Sequence, residues 1–146
     1  MRITIVGGGF GGVKAALELA RHKKNRVTLI SDREDFQYYP ALYSSATGRS
    51  HLQSWVPLGE IFAHYDNVNV VLDRIESINI HVKSLTGASG VTYHYSAVIL
   101  ALGSVTTYFG IEGLDTYAYG IKSASEIKRL KRHLVSEFMR PETLAH

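Results

Sequence analysis

The chain has 146 residues, of which 45% are hydrophobic and 20% are charged, values typical of one modest globular domain. It contains no cysteine, which excludes disulfides, thiolate metal sites and a cysteine-based redox pair. The net charge of +3 is too small and scattered for nucleic acid, but it suits phosphate groups or anionic lipid. With no apolar stretch of about 18 residues and no recognisable signal peptide, we expect a location in the cytoplasm or at the cytoplasmic face of a membrane.

The N-terminal segment predicts a compact βαβ unit. A short buried strand over residues 2–6 leads into a glycine-rich run at residues 7–12. A helix follows, because Val13, Ala16, Leu17 and Ala20 have the spacing of one apolar stripe. The basic residues 21–24 close this helix, and residues 26–31 form a second strand.

The middle of the chain predicts a less regular region and then a small antiparallel sheet. Residues 32–50 are expected to be irregular and hold four aromatic residues, Phe36, Tyr38, Tyr39 and Tyr43. A helix should begin near Pro57 and bury a stripe made of Leu58, Ile61, Phe62 and Tyr65. Three short strands over 68–72, 77–82 and 91–95, with a turn at 86–90, predict an antiparallel meander.

The last part of the chain predicts one strand and one helix. The apolar run at residues 97–102 reads as a buried parallel strand that returns to the main sheet. Ser123 and Glu126 have the spacing of a capping box. They open a helix that Pro141 ends, and one face of this helix carries Ile127, Leu130, Leu134 and Phe138.

The glycine-rich run carries the first functional signal. Gly7, Gly9 and Gly12 satisfy the G-x-G-x-x-G pattern, with a strand before them and a helix after them. The first glycine allows the tight turn, the second lets a pyrophosphate approach the backbone, and the third lets helix and strand pack closely. We therefore predict a dinucleotide site, the alternative being a glycine-rich turn without a ligand.

The end of the second strand is where such sites bind the ribose hydroxyls, usually through an acidic residue. Ser31 stands at that position and Asp32 follows it. Either side chain could hydrogen-bond a ribose. The alternative is that Ser31 only ends the strand and Asp32 only begins the turn.

The combination of motifs resembles type II NADH dehydrogenases, the single-chain NADH:quinone oxidoreductases of the pyridine nucleotide-disulfide oxidoreductase superfamily. The aromatic-rich stretch ends in Pro40-Ala41-Leu42-Tyr43 and is followed by Ala46-Thr47-Gly48, similar to the family's pattern. Residues 97–104 resemble its second flavin motif, and residues 107–114 and 121–123 the segments after it. Leu102, Ser96 and Ser31 depart from the family's usual threonine and acidic residues.

The resemblance implies an α/β fold: a Rossmann-like parallel sheet with an inserted small antiparallel β-meander, forming the N-terminal part of an FAD-binding domain over residues 1–146. It implies FAD as the cofactor, with NADH bound by a second domain that this chain lacks. By resemblance the FAD-binding residues are Gly7, Gly9, Phe10, Gly11, Gly12, Ser31, Asp32, Arg33, Pro40, Ala41, Leu42, Ile75, Ala101, Leu102 and Gly103. Ile75 would contact the adenine by its main chain. We assign no catalytic side chain, because the electron-transfer chemistry belongs to the flavin.

Three functional alternatives stay open at this point. The first is the flavin-binding part of an NADH:quinone oxidoreductase of the respiratory chain, inactive as this piece alone. The second is a sulfide:quinone-type reductase, which ranks lower because that family works through cysteines. The third is a non-catalytic FAD-binding or interaction fragment. If a partner domain is missing, its uncovered docking surface suggests dimerisation.

Two remaining groups of residues carry weaker signals. The seven histidines lack metal-ligand spacing, and we predict surface or packing roles for them and no metal site. The basic residues Lys128, Arg129, Lys131 and Arg132 form either a solvated helix face or a contact with anionic lipid or with a missing domain. The aromatic residues between 36 and 43 either pack within their loop or line the flavin or quinone side of the site.

Overall fold

The computed structural model describes residues 1–50 and 54–139, which form two compact units. The first unit comprises Met1–Gln37 and Trp55–Gly103, and the second comprises Tyr38–Ser54 and Ser104–His146. A four-stranded parallel sheet organises the first unit, in the order β5 (Val68–Leu72), β2 (Arg26–Ser31), β1 (Arg2–Val6) and β9 (Ala97–Leu100). The predicted Rossmann-like parallel sheet is confirmed.

The central strand β1 is buried on both faces, which explains its apolar composition. Ile3 and Ile5 pack with α1 (Phe10–Ala20) and α3 (Leu58–Ile61) through Val13, Ala16 and Leu58. Fully burying a side chain the size of Ile5 contributes about 1.5–3 kcal/mol. The bounds of β1 and β2 and the inward stripe of α1 agree with the sequence prediction.

The opposite face of the sheet is covered by an antiparallel meander of β6 (Ile75–Asn79), β7 (Ser84–Gly87) and β8 (Thr92–His94). Leu85 and Tyr95 are buried there against Val6 and Ile30. The predicted meander exists, but only two of its three strands were predicted: residues 77–82 overlap β6 and residues 91–95 contain β8, whereas β7 was missed. Residues Val68–Leu72 pair in parallel with β2, and the turn predicted at residues 86–90 begins only after β7 ends. An apolar run does not specify its partner strand.

Strand β9 returns to β1 in parallel, as predicted, with Ile3 opposite Ala97 and Val6 opposite Leu100. It is nevertheless one of the two edge strands of the sheet, the other being β5. Ile99 is 36% exposed and Leu100 is 54% exposed, so the expectation of a buried strand was wrong. Complete burial requires a neighbour on each side of a strand, which the sequence of the strand itself does not reveal.

The region predicted to be irregular, residues 32–50, contains regular structure. In the first unit β3 (Asp35–Gln37) pairs antiparallel with β4 (Trp55–Pro57). In the second unit Tyr39–Ala46 form α2, with Pro40 in its first turn. The helix buries Leu42 and Ala46, and the Ser45 and Ser54 hydroxyl oxygens are 2.9 Å apart. Pro57 caps the short α3, close to the predicted helix start.

The second unit also contains α4 (Leu114–Tyr117) and α5 (Ala124–Phe138). The capping box of α5 is confirmed: the Ser123 hydroxyl accepts from the Glu126 N–H at 3.2 Å, and the Glu126 carboxylate accepts from the Ser123 N–H at 2.8 Å. Ile127 is buried, whereas Phe138 at the end of the helix is 87% exposed. Pro141, the predicted helix end, lies outside the described residues.

Candidate functional site

The glycine-rich loop connects β1 to α1 and lies close to its neighbours. Gly7 has φ 111°, and a Cβ atom there would clash with the carbonyl oxygen of Ala101. A Cβ atom on Gly12 would clash with the carbonyl oxygen of Gly7. The first and third glycines of the motif are therefore required by the packing of the loop itself.

Gly9, the second glycine of the motif, has a different environment. It is the N-cap of α1 with φ −83°, and a Cβ atom there would meet no atom of the described residues within 4 Å. Having no side chain, Gly9 does not cap the amide groups of the first helical turn, whose N–H groups point to where an anion would bind. The fold does not need glycine at this position, whereas close approach of a phosphate would.

A cavity of about 270 Å³ opens at the carboxyl ends of the parallel strands. In open α/β sheets ligands bind at this edge, where the chain reverses its direction across the sheet. Here the reversal lies between β1 and β9, since β2 and β5 extend to the other side. The cavity is lined by Val6, Gly7, Ile30, Asp32, Asp73, Arg74, Ile75 and Leu102.

The two candidates for the ribose contact differ in their surroundings. Ser31 is 3% exposed, and its hydroxyl donates to the Arg33 carbonyl at 2.7 Å and accepts from the Arg33 N–H at 3.2 Å. The Asp32 side chain is 59% exposed and lines the cavity. Arg33 lies 3.6 Å from Asp32 and donates to Gln37 at 2.7 Å, which holds the turn in shape. Asp32 is thus the side chain that faces the cavity.

Asp73 follows β5 directly and is the most extensively hydrogen-bonded carboxylate of the site. It accepts from the Ser89 hydroxyl at 2.5 Å, the Tyr93 hydroxyl at 2.7 Å, the Arg74 N–H at 2.7 Å and the Ser89 N–H at 3.3 Å. The hydrogen bonds from Ser89 and then Tyr93 lower the pKa of Asp73 from its ordinary 3.8 to about 2. The same bond to Asp73 raises the pKa of Tyr93.

The structure distributes the remaining predicted FAD-binding residues over both units. In the first unit Phe10 opens α1 and makes an edge-on contact with Phe36, with ring centroids 4.8 Å apart. Ala101 follows β9, its N–H donating to the Val6 carbonyl at 2.8 Å, and Gly103 has φ 74°. In the second unit, the Pro40–Leu42 segment belongs to α2, where Leu42 is 1% exposed.

The second unit holds a cavity of about 240 Å³ beside the first turns of α2, lined by Tyr39, Tyr43, Ser104, Ile121 and Lys122. Lys122 donates to Ser104 at 3.2 Å. On α5, Arg129 donates to the Thr116 carbonyl at 2.7 Å and lies 5.0 Å from the Tyr119 ring centroid. Arg129 therefore packs within its unit and is not simply solvated.

Sequence reasoning missed Asp73 and Arg74 as lining residues of the cavity. The signal was present, because an acidic residue directly after a parallel strand is the feature that pointed to Asp32. It was overlooked because Val68–Leu72 was assigned to the meander, whose strand ends do not face the ligand edge.

Across residues 1–50 and 54–139, no group of three or more His, Cys, Asp or Glu side chains is arranged to hold a metal ion. No helix in the same ranges has the length and hydropathy needed to cross a membrane.

The parallel sheet, the G-x-G-x-x-G loop at a helix N-terminus and the cavity at the carboxyl edge together define a dinucleotide-binding fold. The family model "Pyridine nucleotide-disulphide oxidoreductase" matches residues 1–143. The chain belongs to this family.

Curated relatives agree with the resemblance seen in the motifs. The chain is 31% identical over 142 residues to a type II NADH:quinone oxidoreductase of Mycobacterium tuberculosis, covering 94% of this chain and 30% of that protein. It is 24% identical over 140 residues to a type II NADH:quinone oxidoreductase of Staphylococcus epidermidis, covering 94% of this chain and 35% of that protein. The chain thus spans about a third of the length of these curated relatives.

Solved structures show the same fold. The sulfide:quinone oxidoreductase of Aquifex aeolicus superimposes with a TM-score of 0.87 at 28% identity, covering 96% of this chain and 33% of that chain. NDH2 from Plasmodium falciparum in complex with NADH superimposes with a TM-score of 0.81 at 25% identity, covering 96% of this chain and 30% of that chain. The fold is therefore shared with about a third of each of these oxidoreductase chains.

Proposed function

We propose that this chain is the FAD-binding part of a flavoprotein oxidoreductase that passes electrons from NADH through FAD to a quinone. The observation that carries the proposal is the grouping, at one edge of the parallel sheet, of the glycine-rich loop, the N-terminus of α1 and the cavity with Asp32 and Ile75. Family membership and the type II NADH:quinone oxidoreductases among the relatives support this electron donor and acceptor.

The residues of the first unit fit the adenosine diphosphate part of FAD. Gly9 leaves space for the pyrophosphate beside the amide groups of α1. Asp32 offers a carboxylate to the ribose hydroxyls, and Ile75 offers its main chain to the adenine. The flavin ring supplies the electron-transfer chemistry, and the protein supplies its orientation and electrostatic surroundings. We propose Ala101–Gly103 and Pro40–Leu42 as the neighbours of the flavin part.

The whole reaction is proposed for a protein longer than these 146 residues, because the chain spans about a third of the curated relatives. Residues 1–146 would form the N-terminal FAD-binding part, and the NADH-binding domain would lie beyond them. The 146-residue chain should accordingly bind FAD without oxidising NADH by itself. We place the longer protein in the cytoplasm or in peripheral contact with the cytoplasmic face of the membrane, as the sequence predicts.

A sulfide:quinone-type reductase is the second candidate, supported by the TM-score of 0.87 to the Aquifex aeolicus enzyme. The absence of cysteine from all 146 residues argues against it. The sequence encoded directly downstream discriminates the candidates: a second G-x-G-x-x-G unit without cysteines favours NADH as the donor, and paired cysteines favour sulfide. An open reading frame that ends at His146 would favour a non-catalytic FAD-binding fragment.

The decisive test is whether the purified chain binds FAD. Its visible absorption spectrum is measured before FAD is added, and again after FAD has been added and the unbound cofactor removed by gel filtration. Gly9→Ala should weaken FAD binding by at least about tenfold, or about 1.4 kcal/mol, because its Cβ atom would occupy the approach of the pyrophosphate. Gly59→Ala is the matched control, since its Cβ atom also meets no described atom within 4 Å. A wild-type chain that takes up no FAD, or Gly9→Ala binding like wild type, would contradict the proposal.

A further inference from the structure

Asp73 lies at the connection between the parallel sheet and the meander. Its N–H donates to the Ser31 carbonyl at 2.9 Å, so its backbone is fixed to the end of β2, one residue before Asp32. The next carbonyl, that of Arg74, accepts from the Ala88 N–H at 2.8 Å, within the turn of the meander. The Asp73–Arg74 segment therefore joins the predicted ribose and adenine contacts.

The side chain of Asp73 strengthens this connection. Its carboxylate accepts from the hydroxyl and N–H groups of Ser89, from the Tyr93 hydroxyl and from the Arg74 N–H. Because an ionised carboxylate offers about four acceptor positions, these four donors use all of them. Asp73 lines the cavity, yet its bonds are directed into the protein, so its effect on a ligand would act through its neighbours.

The local strand pairing does not fix Ile75 by itself. Its ladder with β7 has a register irregularity between Ile75 and Ser77, where a strand bends and loses regular pairing. Gly87 is the residue opposite Ile75, and a Cβ atom on Gly87 would clash with the Asp73 carboxylate. The chain thus has glycine at the position that lets the carboxylate reach the meander.

We propose that Asp73 is a positioning residue that sets the place of the Ile75 main chain relative to Asp32, and thereby the affinity of the cavity for the adenosine half of a dinucleotide. This role rests on the proposed function of the site. The Asp73 carboxylate is engaged by donors of the protein itself. It therefore controls binding and has no part in electron transfer.

The test compares binding of ADP and of FAD to the 146-residue chain by calorimetry, at a temperature at which circular dichroism shows each variant to be folded. Asp73→Asn presents an NH₂ group to donors that require an acceptor. It should weaken ADP and FAD binding by the same factor, about tenfold, because charge-assisted hydrogen bonds are lost. Glu76→Gln, the same chemical change at an exposed position of β6, should bind both ligands like wild type.

The outcomes separate positioning from a merely structural role. If Asp73→Asn lowers only the melting temperature and binds ADP like wild type, the positioning role is wrong. It is equally wrong if FAD binding weakens and ADP binding does not. Should Asp73→Asn fail to fold, Tyr93→Phe removes one of the four donors; unchanged ADP affinity in that variant overturns the role. A wild-type chain that binds neither ADP nor FAD overturns the proposed function itself.

Discussion

At the scale of single residues, Asp73 makes the stability of the chain depend on acidity. Its pKa in the folded chain is about 2, below the ordinary value of 3.8, because Ser89 and Tyr93 donate to the ionised carboxylate. A carboxyl group with a lowered pKa stabilises the fold above its unfolded pKa, and this contribution disappears as the pH falls towards the folded pKa. The contribution of Asp73 is thus complete well above pH 3.8 and is lost between pH 3.8 and about 2.

We expect Asp73→Asn to melt at a lower temperature than wild type above this pH window, and the two melting temperatures to converge as the pH falls through it. Melting followed by circular dichroism across the acidic range measures the difference. The Tyr93 hydroxyl is neutral in this pH range, and Arg74 contacts Asp73 through its main-chain N–H. Neither group therefore reverses the direction of the pH dependence. Glu76→Gln should follow wild type throughout. A gap that stays constant down to the acid limit would show that the Asp73 carboxylate is not the group that titrates.

At the scale of elements, Asn67 connects the C-terminal end of α1 to the start of β5. Its side chain is 6% exposed, and its amide donates to the Ala20 carbonyl at 3.0 Å and to the Asn25 carbonyl at 3.2 Å. The main-chain carbonyl of Asn67 accepts from the Val27 N–H at 2.9 Å. One asparagine thus satisfies the Ala20 carbonyl, which the end of α1 leaves without an intrahelical partner, and the Asn25 carbonyl just before β2.

Asn67→Ala should lower the free energy of unfolding by about 1–3 kcal/mol, because buried carbonyl groups lose their donor. Asn67→Asp should be worse at neutral pH, since it places a negative charge against carbonyl oxygens, and it should recover partly in acid. Urea denaturation at both pH values measures both effects. Asn69→Ala is the control, because that side chain is exposed on β5. Equal stabilities of Asn67→Asp and wild type would contradict the assigned role of the amide.

The elements that sequence reasoning predicted well are those whose signals are local. Arg2–Val6, the glycine-rich loop and Arg26–Ser31 form one βαβ unit with a motif of fixed spacing, and their bounds were correct. The helix α2 was missed because its apolar residues have no clear helical period and become buried only by tertiary packing. Parallel pairing of β5 with β2 is non-local, so the run at residues 68–72 could be placed only by the structure.

The candidate site follows the same rule. Asp32 could be predicted because it follows a strand that the glycine motif places in the parallel sheet. Asp73 follows a strand whose place in the sheet was unknown, and its four donors come from residues 1–20 positions away along the chain. The bond of the Ser31 hydroxyl to Arg33 is a local turn contact of the kind that serine often makes, and the sequence could offer it only as the alternative to a ribose contact.

At the scale of the whole molecule, the edge of the parallel sheet formed by β9 is the feature that we relate to association. In the described part of the chain, β9 ends the order β5-β2-β1-β9 and has no partner on its outer side. Leu100 is 54% exposed on this strand. An unprotected edge with apolar side chains is a template for pairing with another chain. The dimerisation expected from the sequence can therefore be tested at this strand.

We expect the 146-residue chain to self-associate through β9 at micromolar concentrations, and Leu100→Lys to suppress this by placing a charge on the edge. Association of the wild-type chain would bury the exposed half of each Leu100 side chain, which is worth about 1 kcal/mol per copy. The Leu100→Lys variant would lose this contribution. The dissociation constant should then rise by at least about tenfold. Sedimentation velocity over a concentration series measures it. Val82→Lys replaces an apolar residue that is 62% exposed in the turn between β6 and β7, and should leave association unchanged. A wild-type chain that sediments as a monomer at every concentration would show that the β9 edge does not drive assembly. If Leu100→Lys and Val82→Lys weaken association equally, association depends on exposed apolar surface in general and not on β9.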